Sequence, residues 1–182
     1  MSLKYVLLVV LKKQKSTGYE INKWFEGPLG YFWDTSHQRV YRALAKMNED
    51  GLVCYETEHQ SNKPDKKIYQ ITKAGRETLD QWMRTPLPPT PENEPFLVKL
   101  FAADTKYLDS LIKELEMQLE SFETLYNQYK TIEKHFDSYG EIPSQMAMIY
   151  LTLKRGIKNK EASIEWAKEA LEVLRNLKPG SQ

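Results

Sequence analysis

Residues 33–83 change their hydrophobic periodicity from helix to strand and back to helix, an order that few small folds accommodate. Thr35 and Gln38 match a capping box, so a helix is predicted to begin at Thr35. Gly51 follows the last turn of that helix, where a glycine in the left-handed conformation commonly ends it. The stretch therefore starts with one well-delimited helix.

Two short strands are predicted directly after this helix, at Leu52–Glu58 and Lys67–Ile71. The Asn-Lys-Pro-Asp sequence between them is typical of a turn. Thr72 then opens a second amphipathic helix. The residues predicted on its inner side are Leu79, Trp82 and Met83.

The first helix has two faces of different chemistry. The predicted inner stripe consists of Val40, Ala43, Leu44 and Met47. The opposite face consists of Gln38, Arg42 and Ala45, flanked by Arg39, Tyr41 and Lys46. In the major groove of DNA, arginine reads guanine, glutamine reads adenine and alanine can touch a thymine methyl group. A solvated polar face is the alternative interpretation of the same residues.

Hydrogen-bond donors and cations flank this polar face. Ser36 and His37 are predicted to reach phosphates beside the free N–H groups of the helix start. The strand pair adds three basic side chains, namely Lys63, Lys66 and Lys67. The sequence therefore predicts an interface in which the helix reads bases and the strand pair holds the phosphate backbone.

Two further helices are predicted before this stretch. Residues 3–11 are apolar on nearly every side, so periodicity fits a buried helix or a buried strand, and the neighbouring elements favour a central core helix. Ser16 or Thr17 opens the next helix, which Gly27 and Pro28 end. This order is that of a winged helix-turn-helix, so the predicted fold is mainly α with a small two-stranded β-wing.

A proline-rich segment separates the two halves of the chain. Residues 85–95 hold five of the nine prolines and predict an extended, stiff linker. The predicted organisation is a winged helix domain at 1–84, this linker, and an α-helical dimerisation domain at 96–182. A short helix with apolar Phe96, Leu97, Leu100 and Phe101 opens the second domain.

Two long amphipathic helices follow, over residues 105–138 and Ser144–Leu177. Their apolar positions alternate steps of three and four, as in coiled coils. A lone hairpin buries two such stripes poorly, so we predict self-association. The predicted dimerisation residues are Leu153, Ile157, Ile164, Ala167, Leu171 and Leu174, in a seam that Gly156 and Lys160 interrupt. The alternative is that the pair folds back on the N-terminal domain.

The net charge of the chain is only +1, but its basic and acidic side chains are distributed unevenly between the two halves. Residues 1–85 carry 14 basic and 10 acidic side chains, whereas residues 86–182 carry 12 and 15. The basic half contains the predicted helix and wing, as attraction to DNA requires. The single cysteine, Cys54, suits a reducing compartment, and the apolar run at 5–11 is too short to span a bilayer. We therefore predict a cytoplasmic protein.

Enzymatic sequence patterns are missing. The chain has no glycine-rich phosphate loop, no HExxH and no CxxC motif. Its three histidines, His37, His59 and His135, follow no metal-ligand spacing. We therefore predict that the chain is not an enzyme and that it binds neither a metal nor a cofactor. A winged-helix module that binds only protein, or needs a partner regulator to bind DNA, is the alternative.

Four motifs of the first half together resemble the PadR family of transcriptional regulators. They are GYEI at Gly18–Ile21, WxxSxxxxYRxL at Trp33–Leu44, GLV at Gly51–Val53 and IYQITKAGRETLDQW at Ile68–Trp82. From FLVKLFAAD onward the chain is similar to the long form of that family, with a virulence-activator-like α-helical C-terminal domain. The family's wing often carries a glycine–arginine pair, where this chain has SNKPDKK.

The resemblance implies a homodimer that binds an inverted-repeat operator, usually as a repressor. It also implies that a small aromatic or hydrophobic effector releases some members from DNA. An aromatic set, Tyr19, Trp24, Phe25, Tyr31, Phe32 and Trp33, is either an effector pocket or structural core. Trp166 is predicted to fill the dimer seam.

Overall fold

The structure is a computed structural model that describes residues 2–27, 29–30, 33–59, 65–88, 94–137 and 142–177. It divides the chain into two compact units, Met1–Thr90 and Pro91–Gln182. Lys63, Tyr31 and Phe32, for which the sequence predicted roles, lie outside the described residues.

The first unit has the element order of a winged helix. Its elements are α1 (Leu3–Lys13), β1 (Ser16–Thr17), α2 (Gly18–Glu26), α3 (His37–Glu49), β2 (Val53–Glu58), β3 (Lys66–Ile71) and α4 (Lys73–Arg84). β3 lies between β1 and β2 and pairs antiparallel with both. The predicted wing is confirmed, and β1 adds a third strand that is too short for residue alternation to reveal.

α1 is the centre of the first core, as predicted. Leu7 and Leu8 are fully buried. The other elements contribute Ile21, Val40, Leu44, Met47, Val53, Tyr69, Ile71 and Leu79 to the same cluster. The Trp82 ring stacks on Tyr5 with centroids 4.8 Å apart. Met83, predicted to face inward, is 67% exposed instead, because it lies in the last turn of α4 beyond the contact that Trp82 makes.

α3 begins one residue later than predicted. The Ser36 hydroxyl oxygen accepts from the Arg39 N–H at 3.4 Å and caps the helix. The Thr35 hydroxyl is buried and makes no hydrogen bond within the described residues. Thr35 and Ser36 are both favourable cap residues, so the sequence could not separate them.

The end of α3 is a Schellman motif, which confirms the predicted stop at Gly51. Gly51 has a φ of 69°. Its N–H donates to the Asn48 carbonyl at 3.1 Å, and the Leu52 N–H donates to the Met47 carbonyl at 2.9 Å. The chain therefore leaves α3 in a defined direction and enters β2.

The start of α4 is tied to this turn. The Thr72 hydroxyl donates to the Gly51 carbonyl at 2.7 Å and accepts from the Gly75 N–H at 3.1 Å. The Thr72 N–H donates to the Leu52 carbonyl at 3.1 Å. A Cβ atom at Gly75 would lie 2.1 Å from the Leu52 carbonyl oxygen. A glycine is thus required where α4 meets the backbone that links α3 to the wing.

The second unit consists of helices. They are α5 (Pro95–Ala102), a 3₁₀ turn at Thr105–Tyr107, α6 (Leu108–Asp137) and α7 (Ser144–Asn176). Residue pairs along α6 and α7 run in opposite directions, so the two form an antiparallel hairpin. No helix in the described part of the chain combines the length and apolar character that crossing a bilayer requires.

The hairpin buries most of the seam that the sequence assigned to a second copy of the chain. Ile157, Ala167, Leu171 and Leu174 are at most 6% exposed within a single chain. Leu153 and Ile164 are half-buried. The expectation that these stripes lack a partner inside the chain is wrong, because α5 supplies Phe96 and Leu100 as a third layer. The dimerisation role of the six residues that the sequence named stays a prediction.

The two residues that interrupt the seam pack against aromatic rings of α6. A Cβ atom at Gly156 would lie 3.0 Å from the Tyr129 ring. The Lys160 ammonium lies 4.7 Å from the centroid of Phe122. The interruption is therefore part of the packing between α6 and α7.

Ion pairs along the hairpin accompany this packing. Arg175 pairs with Glu116 at 2.6 Å, and Lys168 pairs with Glu123 at 2.8 Å. The buried carboxylate of Glu133 accepts hydrogen bonds from Lys130 and Lys154, and these bonds lower its pKa.

Replacing Gly75 with alanine tests the junction of α3, β2 and α4. The added methyl group cannot fit without a backbone shift, so we expect Gly75→Ala to lower the unfolding free energy by about 1–3 kcal/mol. Chemical denaturation followed by circular dichroism measures this change. Ala74→Gly, at the neighbouring exposed position, is the control and should cost at most about 1 kcal/mol. If Gly75→Ala lowered the unfolding free energy no more than the control does, the close approach of α4 to the Leu52 carbonyl would be contradicted.

Candidate nucleic-acid interface

α3 exposes the polar face that the sequence described. The exposed side chains are Ser36, His37, Gln38, Arg39, Tyr41, Arg42, Ala45 and Lys46. The buried stripe of Val40, Leu44 and Met47 holds the opposite side of the helix in the core. The fold thus presents this face to solvent, and its contact with DNA stays a prediction.

The basic side chains on α3 differ in how far their charge is already neutralised. Arg42 donates from Nη2 to the Gln38 side-chain oxygen at 3.4 Å, one helical turn away. Within the described residues, neither Arg39 nor Arg42 has a carboxylate partner. We call these two residues the arginine pair. They are the side chains of α3 with the most charge available to a phosphate or base.

Lys46 is in a different position. Its ammonium lies 2.9 Å from Asp50 and 3.6 Å from Glu49, both on the same helix. The hydrogen bond to Asp50 raises the pKa of Lys46. The ammonium therefore stays charged, but its field is offset by two carboxylates at the C-terminal end of α3.

A carboxylate also lies beside the histidine at the N-terminal end of α3. The His37 imidazole Nε2 lies 3.3 Å from the Glu26 carboxylate at the end of α2. The Ser36 hydroxyl is engaged as the helix cap. Glu26 therefore places a negative charge beside the phosphate contacts predicted for Ser36 and His37, and these contacts stay predictions.

The two described wing lysines lie on opposite faces of the sheet, because side chains alternate along β3. Lys67 shares its face with Tyr69, which is buried in the core, and its ammonium lies 4.3 Å from the Tyr55 ring. Lys66 is on the other face, directly opposite Glu58 in register. Lys67 is therefore the wing cation on the same side of the sheet as α3.

The N-terminus of α2 is closed by the chain's own carboxylate. The Glu20 side chain accepts from the Thr17 N–H at 2.7 Å and from the Thr17 hydroxyl at 2.9 Å. The backbone hydrogen bond from Thr17 lowers the pKa of Glu20, and the charge of Lys66 adds to this effect. The first turn of α2 is thus not a free anion site, and part of the Lys66 charge is offset by Glu20.

Gly18 supports the position of Tyr41, a role that sequence reasoning missed. A Cβ atom at Gly18 would lie 2.3 Å from Cε1 and 2.8 Å from Cζ of the Tyr41 ring. The ring lies against the start of α2 and remains 48% exposed. The glycine that opens the GYEI motif was the available signal.

The aromatic set is divided between core and surface. Trp24 and Phe25 pack against the first core, whereas Tyr19 is 61% exposed. Trp166 packs edge-on against Phe96 within its own chain, at 6.2 Å between centroids, and its place in a dimer seam stays a prediction. In the ranges that the structure describes, no three His, Cys, Asp or Glu side chains are placed to hold a metal ion.

Gly18→Ala tests whether the orientation of Tyr41 matters for DNA binding. The exposed ring can swing away from the new methyl group, so we expect stability to change by less than about 1 kcal/mol. Affinity for DNA should fall by about three- to tenfold, measured by fluorescence anisotropy.

A double-mutant cycle supplies the control for this experiment. In a Tyr41→Ala background, Gly18→Ala should have no further effect on affinity. An equal loss in both backgrounds would assign the effect to α2 itself and contradict the role of Tyr41.

Comparison with protein families and known proteins follows the same division of the chain. The Transcriptional regulator PadR-like family matches residues 7–81, and Virulence activator alpha C-term matches residues 92–175. The probable transcriptional regulator Rv1176c of Mycobacterium tuberculosis is 33% identical over 96% of this chain and 98% of its own length. The crystal structure of the Vibrio cholerae virulence activator AphA is 34% identical, with a TM-score of 0.75 over 96% of this chain and 98% of that one.

The negative transcriptional regulator PadR of Bacillus subtilis is 26% identical over 94% of this chain and 97% of its own length. Its crystal structure in complex with operator DNA has a TM-score of 0.74 at 24% identity, over 94% of this chain and 98% of that one. The crystal structure of the same protein in complex with p-coumaric acid has a TM-score of 0.73 at 22% identity, over 96% of this chain and 99% of that one. With the winged helix, the exposed face of α3 and these relatives together, the chain belongs to the PadR-like family of transcriptional regulators.

Proposed function

We propose that this regulator binds a specific DNA sequence as a homodimer, on an inverted-repeat operator, and represses transcription in the cytoplasm. The observation that carries the proposal is the exposed arginine pair, which has no carboxylate partner among the described residues. Arginine is the side chain that most often reads guanine in the major groove. Beside it, Gln38 offers an amide of the kind that reads adenine.

The proposed division of labour follows the predicted domains. The winged helix domain at 1–84 binds DNA, the linker at 85–95 connects it, and the region 96–182 forms the dimer. Two recognition helices in a symmetric dimer lie about one DNA turn apart, roughly 34–36 Å, so an inverted repeat is expected. Repression is supported by the Bacillus subtilis relative, a negative regulator that was crystallised on operator DNA.

An effector is the third part of the proposal. The Bacillus subtilis relative binds p-coumaric acid, which supports a small aromatic or hydrophobic effector for this chain. Such a ligand would act by binding one arrangement of the dimer better than another. A change in the separation or tilt of the two α3 helices then alters affinity for both half-sites at once.

Activation is the second candidate function. The Vibrio cholerae relative, at 34% identity, is a virulence activator. An activator of this fold would use the same face of α3 on DNA and would work with a further protein at the promoter. Transcription assays with and without the protein on the selected operator separate the two candidates by the sign of the effect.

Selection of binding sites from a random DNA pool tests the function directly. The wild-type chain should enrich an inverted repeat with half-sites about one turn apart. Arg42→Ala should reduce affinity by about 1–3 kcal/mol and relax the preference at one position of each half-site.

Arg84→Ala is the matched control for this selection. It removes the same charge from the exposed end of α4 and should leave the selected sequence unchanged. If the wild-type chain enriches no sequence even at low salt, the proposal of autonomous sequence-specific binding is wrong. The protein-only module, or the regulator that needs a partner, would then be favoured.

The wing lysines are expected to act on affinity rather than on sequence. Lys67→Ala should weaken binding to all sequences alike and reduce the slope of log K against log salt by about one. Lys66→Ala should have a smaller effect, because Glu58 lies opposite it in the strand register and Glu20 is close enough to feel its charge. Titrations at several salt concentrations on operator and random DNA measure both. A loss confined to the operator would contradict the role of phosphate contact.

A further inference from the structure

An apolar groove lies within the second unit, where the end of α5, the 3₁₀ turn and the start of α6 meet the last turns of α7. Its volume is about 370 Å³. The floor of the groove belongs to the buried core and consists of Leu108, Leu111 and Leu174. Val173 and Leu177 form the rim and are exposed, so the groove opens to solvent. A concave recess with an apolar floor has the construction of a small-molecule site.

The polar groups of this groove carry one sign of charge. Eight of its ten lining residues are apolar, and the other two are Asp104 and Thr105. Within the part of the chain that the structure describes, the lining contains no lysine, arginine or histidine. Small-molecule sites are mainly apolar, with a few polar groups that fix the orientation of the ligand. Here Asp104 is the lining residue that can orient a charged ligand.

The 3₁₀ turn holds the carboxylate of Asp104 in place. Its Oδ1 atom accepts a hydrogen bond from the Lys106 N–H at 3.4 Å and one from the Thr105 hydroxyl at 3.4 Å. The backbone hydrogen bond lowers the pKa of Asp104, so the carboxylate is ionised at neutral pH. The groove therefore has a fixed negative charge at its edge.

The Lys106 ammonium is a weak competitor for this carboxylate. It lies 3.3 Å from Oδ2 of Asp104, but the two side chains are 65% and 58% exposed, and an exposed ion pair contributes little. Lys106 is not part of the groove lining, and its ammonium also lies 5.0 Å from the centroid of the Tyr107 ring. A ligand ammonium that also buries an apolar body in the groove can therefore displace it.

We propose that this groove, the amine groove, binds a small ligand that joins an apolar body to a cationic amine. The apolar body lies on the leucine floor, and the ammonium faces Asp104. A cavity of about 150 Å³ is enough for a benzene ring, so the groove accommodates a body of about two fused rings. The inference deepens the effector part of the function proposed above, and its regulatory meaning rests on that part.

Charge complementarity favours an amine over an acid of the same shape. A ligand carboxylate would face Asp104, and no cation in the described lining would offset the repulsion. An ammonium at the same place replaces the contact of Lys106 and keeps the carboxylate paired. The amine groove is thus selective for the charge of the ligand as well as for its apolar character.

Three ligands with the same naphthalene body test this selectivity, namely naphthylmethylamine, naphthalenemethanol and naphthoic acid. Isothermal titration calorimetry with the full chain at neutral pH, without DNA, measures each dissociation constant. The amine should bind at least about tenfold more tightly than the alcohol, and the acid should bind most weakly.

Two substitutions at the carboxylate pair test the position of the charge. Asp104→Asn keeps the shape of the side chain and its capping oxygen. It should remove the advantage of the amine and leave the affinity for the alcohol unchanged. Lys106→Ala removes the competing ammonium and should strengthen amine binding by about two- to fivefold.

A charge introduced at the rim tests the place of binding. Val173→Lys should weaken binding of the amine and strengthen binding of the acid, because the new ammonium lies beside the groove. Met148→Lys adds the same charge to an exposed position of α7 outside the lining and should leave the order of the three ligands unchanged. Circular dichroism checks that all variants are folded.

The outcomes separate this inference from the proposed function. If the amine has no advantage over the alcohol, or keeps its advantage in Asp104→Asn, the amine groove is overturned. It is also overturned if none of the three ligands binds, as when a second copy of the chain covers the groove. Binding of the chain to its selected DNA is measured separately and is untouched by these results. If the amine binds as expected but leaves the affinity for DNA unchanged, the site stands and the effector part of the proposed function is wrong.

Discussion

The winged helix unit depends on one close backbone approach, at the point where α3, β2 and α4 meet. Gly51 turns the chain out of α3, and Thr72 binds the carbonyl groups of that turn. Gly75 lets the first turn of α4 lie directly on the Leu52 carbonyl. Because α4 packs on α1 through Leu79 and Trp82, this junction couples the core to the orientation of α3 and the wing.

Charge on the candidate interface is graded rather than uniform. Lys46 and His37 face carboxylates at the two ends of α3, whereas the arginine pair between them is free of such partners in the described part of the chain. An exposed ion pair contributes little stability, so its main effect is to lower the local positive potential. Among the described side chains of α3, the positive charge that no carboxylate offsets therefore lies on the arginine pair.

Much of the first unit could be predicted because its signals are local. Capping residues, a terminal glycine and 3.6 periodicity each act within a few residues, which is why α1, α3 and α4 were predicted within a residue or two. The glycine of the GYEI motif indicated a tight approach, but its partner could not be predicted, since the ring that Gly18 accommodates is 23 positions away in sequence, at Tyr41. The contacts of Lys46 with Asp50 and of His37 with Glu26 likewise depend on side-chain geometry, which composition does not reveal.

The second unit shows why an apolar stripe alone does not identify its partner. The seam on α7 has the periodicity of a coiled coil, and that periodicity is the same whether the partner is α6 or another molecule. The short α5 decides the matter, because Phe96 and Leu100 complete the core and leave Phe101 outside.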